Sequence, residues 1–279
     1  MFATLSRSWQ FAKISYRTLF ENKQLLAFPA ISTVASILVF ASFLLPLWQT
    51  GQLDAWFDDV EAGTSQQDYG MYVTAFLFYF CNYFVIIFFN TALVASVMNI
   101  FEGGQGKVGF GLSFAAKRLH SIFGWALVSA VIGTILRVIE RNQKAGAFIA
   151  AIIGSAWTAL SYFVIPVIAS QGLGPIGAFK ESVRTLKSTW GTALAGNFSM
   201  GGIGFLISLP VILLIVALFI INQPALALGL GIPLLILVAV ITATADYIFK
   251  AYLFTYATGK ALPDNIDTSM MGEAFRQTR

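Results

Sequence analysis

Six long apolar stretches constrain this chain more than any motif in it. They lie near residues 25–48, 70–100, 121–139, 147–170, 191–221 and 225–257, and each meets or approaches the ~20 residues a helix needs to cross a bilayer. Lipid offers no hydrogen-bond partners, so such segments must satisfy their own backbone and fold as helices. With 57% hydrophobic and 11% charged residues and a mean hydropathy of +0.77, the chain is excluded from the soluble globular class. The expected fold is therefore all-α, a polytopic membrane bundle forming one domain over residues 1–279. The second and last stretches exceed bilayer thickness and should tilt or project. Pro29, Pro166, Pro210 and Pro233 fall inside stretches, where membranes tolerate them and where they can mark kinks.

Charge predicts orientation, because basic loops are retained in the cytoplasm. The loop at 49–69 holds Asp54, Asp58, Asp59, Glu61 and Asp68 without a single Lys or Arg, and is expected outside. The N-terminal segment, loops 102–120 and 171–189, and the tail hold 13 of the 17 basic residues. A six-span path puts all four on one side, with both termini cytoplasmic. Arg137, Arg141 and Lys144 run against the rule in the connection between the third and fourth spans. A re-entrant pair is the alternative there.

Arg17-Thr18-Leu19 recurs as Arg184-Thr185-Leu186, with Lys13 matching Lys180 upstream. Both copies are basic amphipathic segments placed before apolar stretches. In the first, Leu5, Trp9, Ala12, Tyr16 and Leu19 share one face, and Ser6, Gln10, Lys13, Arg17 and Glu21 the other. Trp9 and Tyr16 suit the headgroup boundary. Basic residues spread through residues 1–24 fit an in-plane helix better than a signal peptide. A divergent middle copy has Phe110, Phe114, Leu119 and Ile122 as its apolar face and Lys117, Arg118 and Ser121 as its polar one. A polar residue followed by tyrosine also returns in each hairpin, as Asn82-Tyr83, Ser161-Tyr162 and Asp246-Tyr247. These landmarks predict three parallel hairpin repeats, 1–101, 102–170 and 171–258, each preceded by a cytoplasmic amphipathic helix, with a tail at 259–279. Chance similarity in an aromatic-rich chain is the competing explanation.

Ionisable residues inside apolar stretches are functional candidates by default. Asp246 and Lys250 lie one turn apart, spaced for an ion pair near the cytoplasmic boundary, with Lys250 snorkelling toward headgroups. Asn82, Asn90 and Asn197 either line a polar pathway with that pair or bond between helices. Gly146, Ala150, Gly154 and Thr158, and in the fifth span Gly196, Ser199, Gly201, Gly202 and Gly204, predict close helix approach. Phosphate-loop, nucleophile-elbow and paired-histidine signatures are absent, so no enzyme activity, cofactor or metal is expected. The sole histidine, His120, neighbours Lys117 and Arg118, and Cys81 has no partner for a disulfide. Basic residues beside apolar spans point to anionic lipid rather than nucleic acid.

The Glu102-Gly103-Gly104 turn after the second span and Gly177-Ala178-Phe179-Lys180-Glu181-Ser182 before Arg184-Thr185-Leu186 resemble a bacterial group of uncharacterised six-span membrane proteins. The architecture is also similar to the membrane domain attached to some glycerophosphodiester phosphodiesterases, although the phosphodiesterase domain's metal-binding acidic and histidine pattern is missing here. The first resemblance implies a bacterial inner-membrane location and no catalytic set. Two functions are then expected to compete. One is non-enzymatic binding of anionic lipids or a protein partner, which could be a second copy of the chain, through Lys13, Arg17, Lys117, Arg118, Lys180, Arg184 and Lys187. The other is a transporter or channel with a polar pathway at Asn82, Asn90, Asn197, Asp246 and Lys250.

Overall fold

The computed structural model describes residues 2–55, 69–142, 146–260 and 262, so Asp58, Asp59, Glu61, Asp68, Lys144, Arg276 and Arg279 lie outside the described residues. The helices are α1 (Phe2–Glu21), α2 (Ala27–Gln49), α3 (Tyr69–Phe101), α4 (Val108–Ala116), α5 (Leu119–Asn142), α6 (Gly146–Leu160), α7 (Val164–Gln171), α8 (Pro175–Ile220) and α9 (Pro224–Ala257), with a 3-10 turn at Lys23–Leu26. Among the described residues six helical segments are long and apolar enough to cross a membrane: Lys23–Gln49, Gly70–Phe101, Leu119–Glu140, Gly146–Gln171, Met200–Ile220 and Pro224–Ala257.

Local chemistry explains most boundaries. Pro175 and Pro224 open α8 and α9, where a fixed φ suits the helix and a missing N–H costs nothing. Asn222, at φ 60°, makes the tight turn between these two helices, a backbone state that Asn tolerates better than most residues. Pro46, Pro210 and Pro233 sit inside α2, α8 and α9 without ending them.

Pro166 has the opposite effect. It cannot donate to the carbonyl of Tyr162, and its ring crowds that carbonyl, so the fourth span breaks between α6 and α7 at residues 161–163. Ser182 of α8 repairs the gap. Its Oγ accepts from the Phe163 N–H at 3.0 Å and donates to the Leu160 carbonyl at 2.7 Å.

The third basic segment is not a separate surface helix. It is the first part of α8, whose 46 residues run about 69 Å, more than twice a bilayer's hydrocarbon thickness. Nothing between Ser182 and Met200 breaks helix, so the basic segment and the fifth span form one rod. The middle segment also departs from expectation. A turn at Lys117–Arg118 separates α4 from α5, burying Ser121 with Ile122 and leaving Phe110 and Leu119 about two-fifths exposed.

The buried core sits at one end. Leu25, Phe28, Leu93, Val94, Val97, Ile122, Phe163, Ile168, Phe249 and Phe254 belong to it, drawn from the 3-10 turn and the start of α2, the end of α3, the start of α5, the break before α7 and α7 itself, and the end of α9. Toward the other end the helices expose apolar side chains, including Leu38 and Trp48 of α2, Phe148 of α6, Phe219 of α8 and Leu237 of α9. In water such surface would be an aggregation liability, whereas lipid covers it at no cost. Close helix approach is narrower than the glycine pattern predicts. Gly204 packs on Thr242, but Gly201 and Gly202 face open space, and Gly231 against Ile215 supplies an approach the glycine pattern did not mark. In α6, Gly146 and Ala150 are buried, Gly154 makes only ordinary contact with Leu136, and Thr158 is exposed.

Candidate functional site

Two polar constellations stand out, one inside the bundle and one at its basic end. The inner one is built on α9. Lys250 Nζ lies 2.7 Å from Asp246 Oδ2, and their side chains are only 17% and 22% exposed. The ammonium is held between two rings, 4.9 Å from the Tyr162 centroid and 4.7 Å from that of Tyr247. Lys250 therefore points into an aromatic clamp instead of snorkelling to headgroups, because two ring faces and a carboxylate offset the water it gives up. Asn90 of α3 completes the arrangement by donating from Nδ2 to Tyr247 Oη at 2.8 Å. The Tyr162 hydroxyl is buried without a hydrogen-bond partner.

Of the expected polar pathway, Asn90, Asp246 and Lys250 come together. Asn82 does not join them: its Nδ2 donates to the Phe78 carbonyl of its own helix. The side chain of Asn197 lies outside the described residues. Neither Asp246 nor Lys250 lines the cavities of 520, 490 and 310 Å³. The three polar–tyrosine pairs also have separate roles, since Ser161 bonds the Trp157 carbonyl and Tyr83 lies beside Gly133 and stacks on Tyr79. Sequence reasoning missed Tyr162 and Tyr247 as the clamp, although their recurrence beside polar residues was visible.

Away from the basic end, α5 runs antiparallel along α3, from the Phe84–Phe123 contact to the bond of Arg137 Nε to Tyr79 Oη at 2.9 Å. Arg137 is also paired with Glu140 at 2.9 Å. Cavities of 490 and 310 Å³ flank it.

At the basic end, α1 packs against α8 and α9. It buries Ala12, Ser15, Thr18 and Leu19 while Lys13 and Arg17 face outward. Thr18 Oγ1 and Tyr252 Oη share a hydrogen bond of 2.8 Å, and the Tyr252 ring packs tilted on Phe101 with centroids 4.2 Å apart. Tyr16 faces the neighbouring helices. Its hydroxyl oxygen is buried, and that burial pushes the phenol above its ordinary range. The recurring tripeptide is used identically in both places: Arg17 and Arg184 are exposed, Thr18 and Thr185 are buried, and Leu19 and Leu186 are buried. Each arginine pairs with an acid of its own helix, Arg17 with Glu21 at 2.8 Å and Arg184 with Glu181 at 3.8 Å. The pairing with Glu21 raises the Arg17 value further. Lys117, Lys180 and Lys187 are exposed, and exposed His120 contacts Ser121 Oγ at 3.1 Å.

Arg118 differs from these. Half-buried, it lies 5.4 Å from the Phe114 ring centroid and beside Gly172, and it lines a 520 Å³ cavity with Lys260, Glu102, Asn99, Phe110 and Phe254. Gly172 closes α7 at φ 64°, and a side chain there would strike the guanidinium, so the position needs glycine on both counts. The Glu102–Gly106 turn is braced, with Asn99 Nδ2 donating to the Gln105 carbonyl at 2.8 Å. Cys81 is half-buried, and no metal-binding cluster of His, Cys, Asp and Glu occurs among the described residues.

Comparison with curated proteins and with solved structures finds no match. A family model does match, over residues 69–262, which take in every helix from α3 to α9 and both constellations except for α1. On that extent the chain belongs to DUF6159, a family of unknown function; the matched residues hold five of the six candidate spans, and α2 lies before them.

Proposed function

We propose that the chain is a non-enzymatic, multi-pass membrane protein that engages anionic phospholipids at its basic end. The observation that carries this reading is the placement of cations. Lys13, Arg17, Lys180, Arg184 and Lys187 are all exposed on two packed helices, at the end where the span termini meet. Anionic leaflets attract juxtamembrane basic segments of this kind. In this reading the basic end and both termini are cytoplasmic, the acidic loop after α2 is outside, and the membrane is a bacterial inner membrane. The matched burial of Arg17-Thr18-Leu19 and Arg184-Thr185-Leu186 supports an internal repeat, with α1 and the start of α8 as equivalent units.

The test is lipid enrichment around the full chain extracted in polymer nanodiscs from membranes of mixed phosphatidylcholine and phosphatidylglycerol. Changing all five residues to Gln should lower the phosphatidylglycerol share, and raised salt should do the same to the unaltered protein. An unchanged share would sink the reading.

A second reading, transport of a small solute or ion, is favoured by one specific arrangement: the broken fourth span beside the Asp246–Lys250 pair. Interrupted helices near buried charges are where transporters hold their cargo. It requires solute flux in proteoliposomes that Asp246→Asn abolishes.

A further inference from the structure

We infer that the 520 Å³ cavity at the basic end is a defined binding site for one anionic phospholipid, with Arg118 and Lys260 on its phosphate. This rests on the lipid reading above and deepens it, from cations dispersed over a surface to a single site.

The cavity combines two chemistries. Arg118 and Lys260 supply positive charge, while Phe110, Phe114 and Phe254 supply apolar wall. Among the described residues neither cation is ion-paired: the pairs are Arg17–Glu21, Arg137–Glu140, Arg184–Glu181 and Lys250–Asp246. Arg118 is moreover preorganised by the Phe114 ring on one side and by Gly172, which leaves no side chain in its way. A planar, fixed guanidinium fork matches phosphate oxygens, and a second ammonium adds point charge.

Position favours a lipid over a purely aqueous ligand. The lining comes from the last turn of α3, from α4 and the turn after it, from the end of α7 and from the end of α9, so the cavity lies where spans end and headgroups begin. Phe110 is 41% exposed, offering acyl chains an apolar exit. Glu102 opposes a bare dianion and accepts hydrogen bonds only. A phosphodiester carrying hydroxyls therefore fits better than a phosphate monoester, which makes phosphatidylglycerol chemistry preferred over phosphatidic acid.

The experiment titrates the full chain in a neutral detergent with short-chain phosphatidylglycerol, counting bound lipid by native mass spectrometry and following the thermal midpoint. One saturable lipid is expected, with phosphatidic acid weaker and inorganic phosphate unable to displace it. Arg118→Gln with Lys260→Gln should weaken binding about tenfold or more, the scale of lost charge-assisted contacts. Lys23→Gln with Lys107→Gln removes the same charge from exposed residues outside the lining and should leave binding unchanged.

Gly172→Ala keeps every charge but displaces the guanidinium, and should weaken binding comparably. If that variant fails to fold, the Arg118/Lys260 pair decides. Unaltered saturation in the Arg118/Lys260 variant overturns the site, and displacement by inorganic phosphate overturns the lipid as its occupant. The two readings fail separately. Loss of enrichment in the five-cation variant concerns the surface, whereas the saturable lipid concerns this cavity alone.

Discussion

Two ion pairs in this chain share an i, i+4 spacing and near-identical distances, yet only one should matter to stability. Arg17–Glu21, at 2.8 Å, has side chains 72% and 50% exposed, while Asp246–Lys250, at 2.7 Å, has 22% and 17%. Removing the acid alone by Asp246→Asn leaves the Lys250 ammonium inside the bundle without a counter-charge. Breaking a buried pair in this way costs about 3–5 kcal/mol. The two tyrosine rings remain, and cation–π contacts retain up to ~2 kcal/mol where desolvated, which argues for the lower end of that range. Replacing both partners, as Asp246→Leu with Lys250→Met, removes the charges together and should return stability to within ~1 kcal/mol of the original, because the desolvation cost disappears with the attraction. Glu21→Gln should leave stability unmoved. The assay is reversible unfolding in mixed micelles, followed through the stacked indoles of Trp125 and Trp157, whose centroids lie 5.2 Å apart. A double variant as damaged as Asp246→Asn would refute the argument, since the loss would then come from packing and not from an orphaned charge.

Ser182→Ala removes both bonds that bridge the broken span and should cost about 1–3 kcal/mol in the same unfolding assay, the price of orphaned backbone groups. Tyr162→Phe keeps the ring over Lys250 and removes a hydroxyl that has no partner, so equal or higher stability is expected, and a large loss would reveal an unrecognised bond. Gly111→Ala drives a methyl into the Ala92 carbonyl, Ser96 Oγ and the Phe28 ring and should destabilise by roughly 1–3 kcal/mol, whereas Gly202→Ala, in open space, should stabilise α8 by about 0.5–1 kcal/mol. Tyr252→Phe severs the link to Thr18, and faster proteolysis of α1 than in the unaltered chain is the expected readout.

The legibility of the candidate sites followed the range of the physics involved. Asp246 and Lys250 could be paired on paper because one helical turn fixes their separation, and Arg137 could be marked as irregular because charge asymmetry is a property of the chain alone. Their partners could not. Tyr162 reaches Lys250 from the break in the fourth span, some ninety residues earlier, Asn90 reaches Tyr247 from still farther, and Arg118 and Lys260 line one cavity only because the ends of α4, α7 and α9 come together there. The glycines of α8 misled for the same reason: a small side chain permits close approach, but only the neighbouring helix determines whether anything approaches.

By itself the amino-acid sequence determined the six apolar helices, their near boundaries and the basic and acidic segments between them. Those features depend on hydropathy, backbone satisfaction and proline geometry, all of which act within a segment. Tertiary structure alone decided that the core gathers at the basic end, that the break at Pro166 is bridged by Ser182 of α8, and that Thr18 and Thr185 turn inward while Arg17 and Arg184 face out. Each of these depends on contacts between helices distant in sequence, where Ser182 can bridge a break and buried side chains choose which face of a helix turns inward.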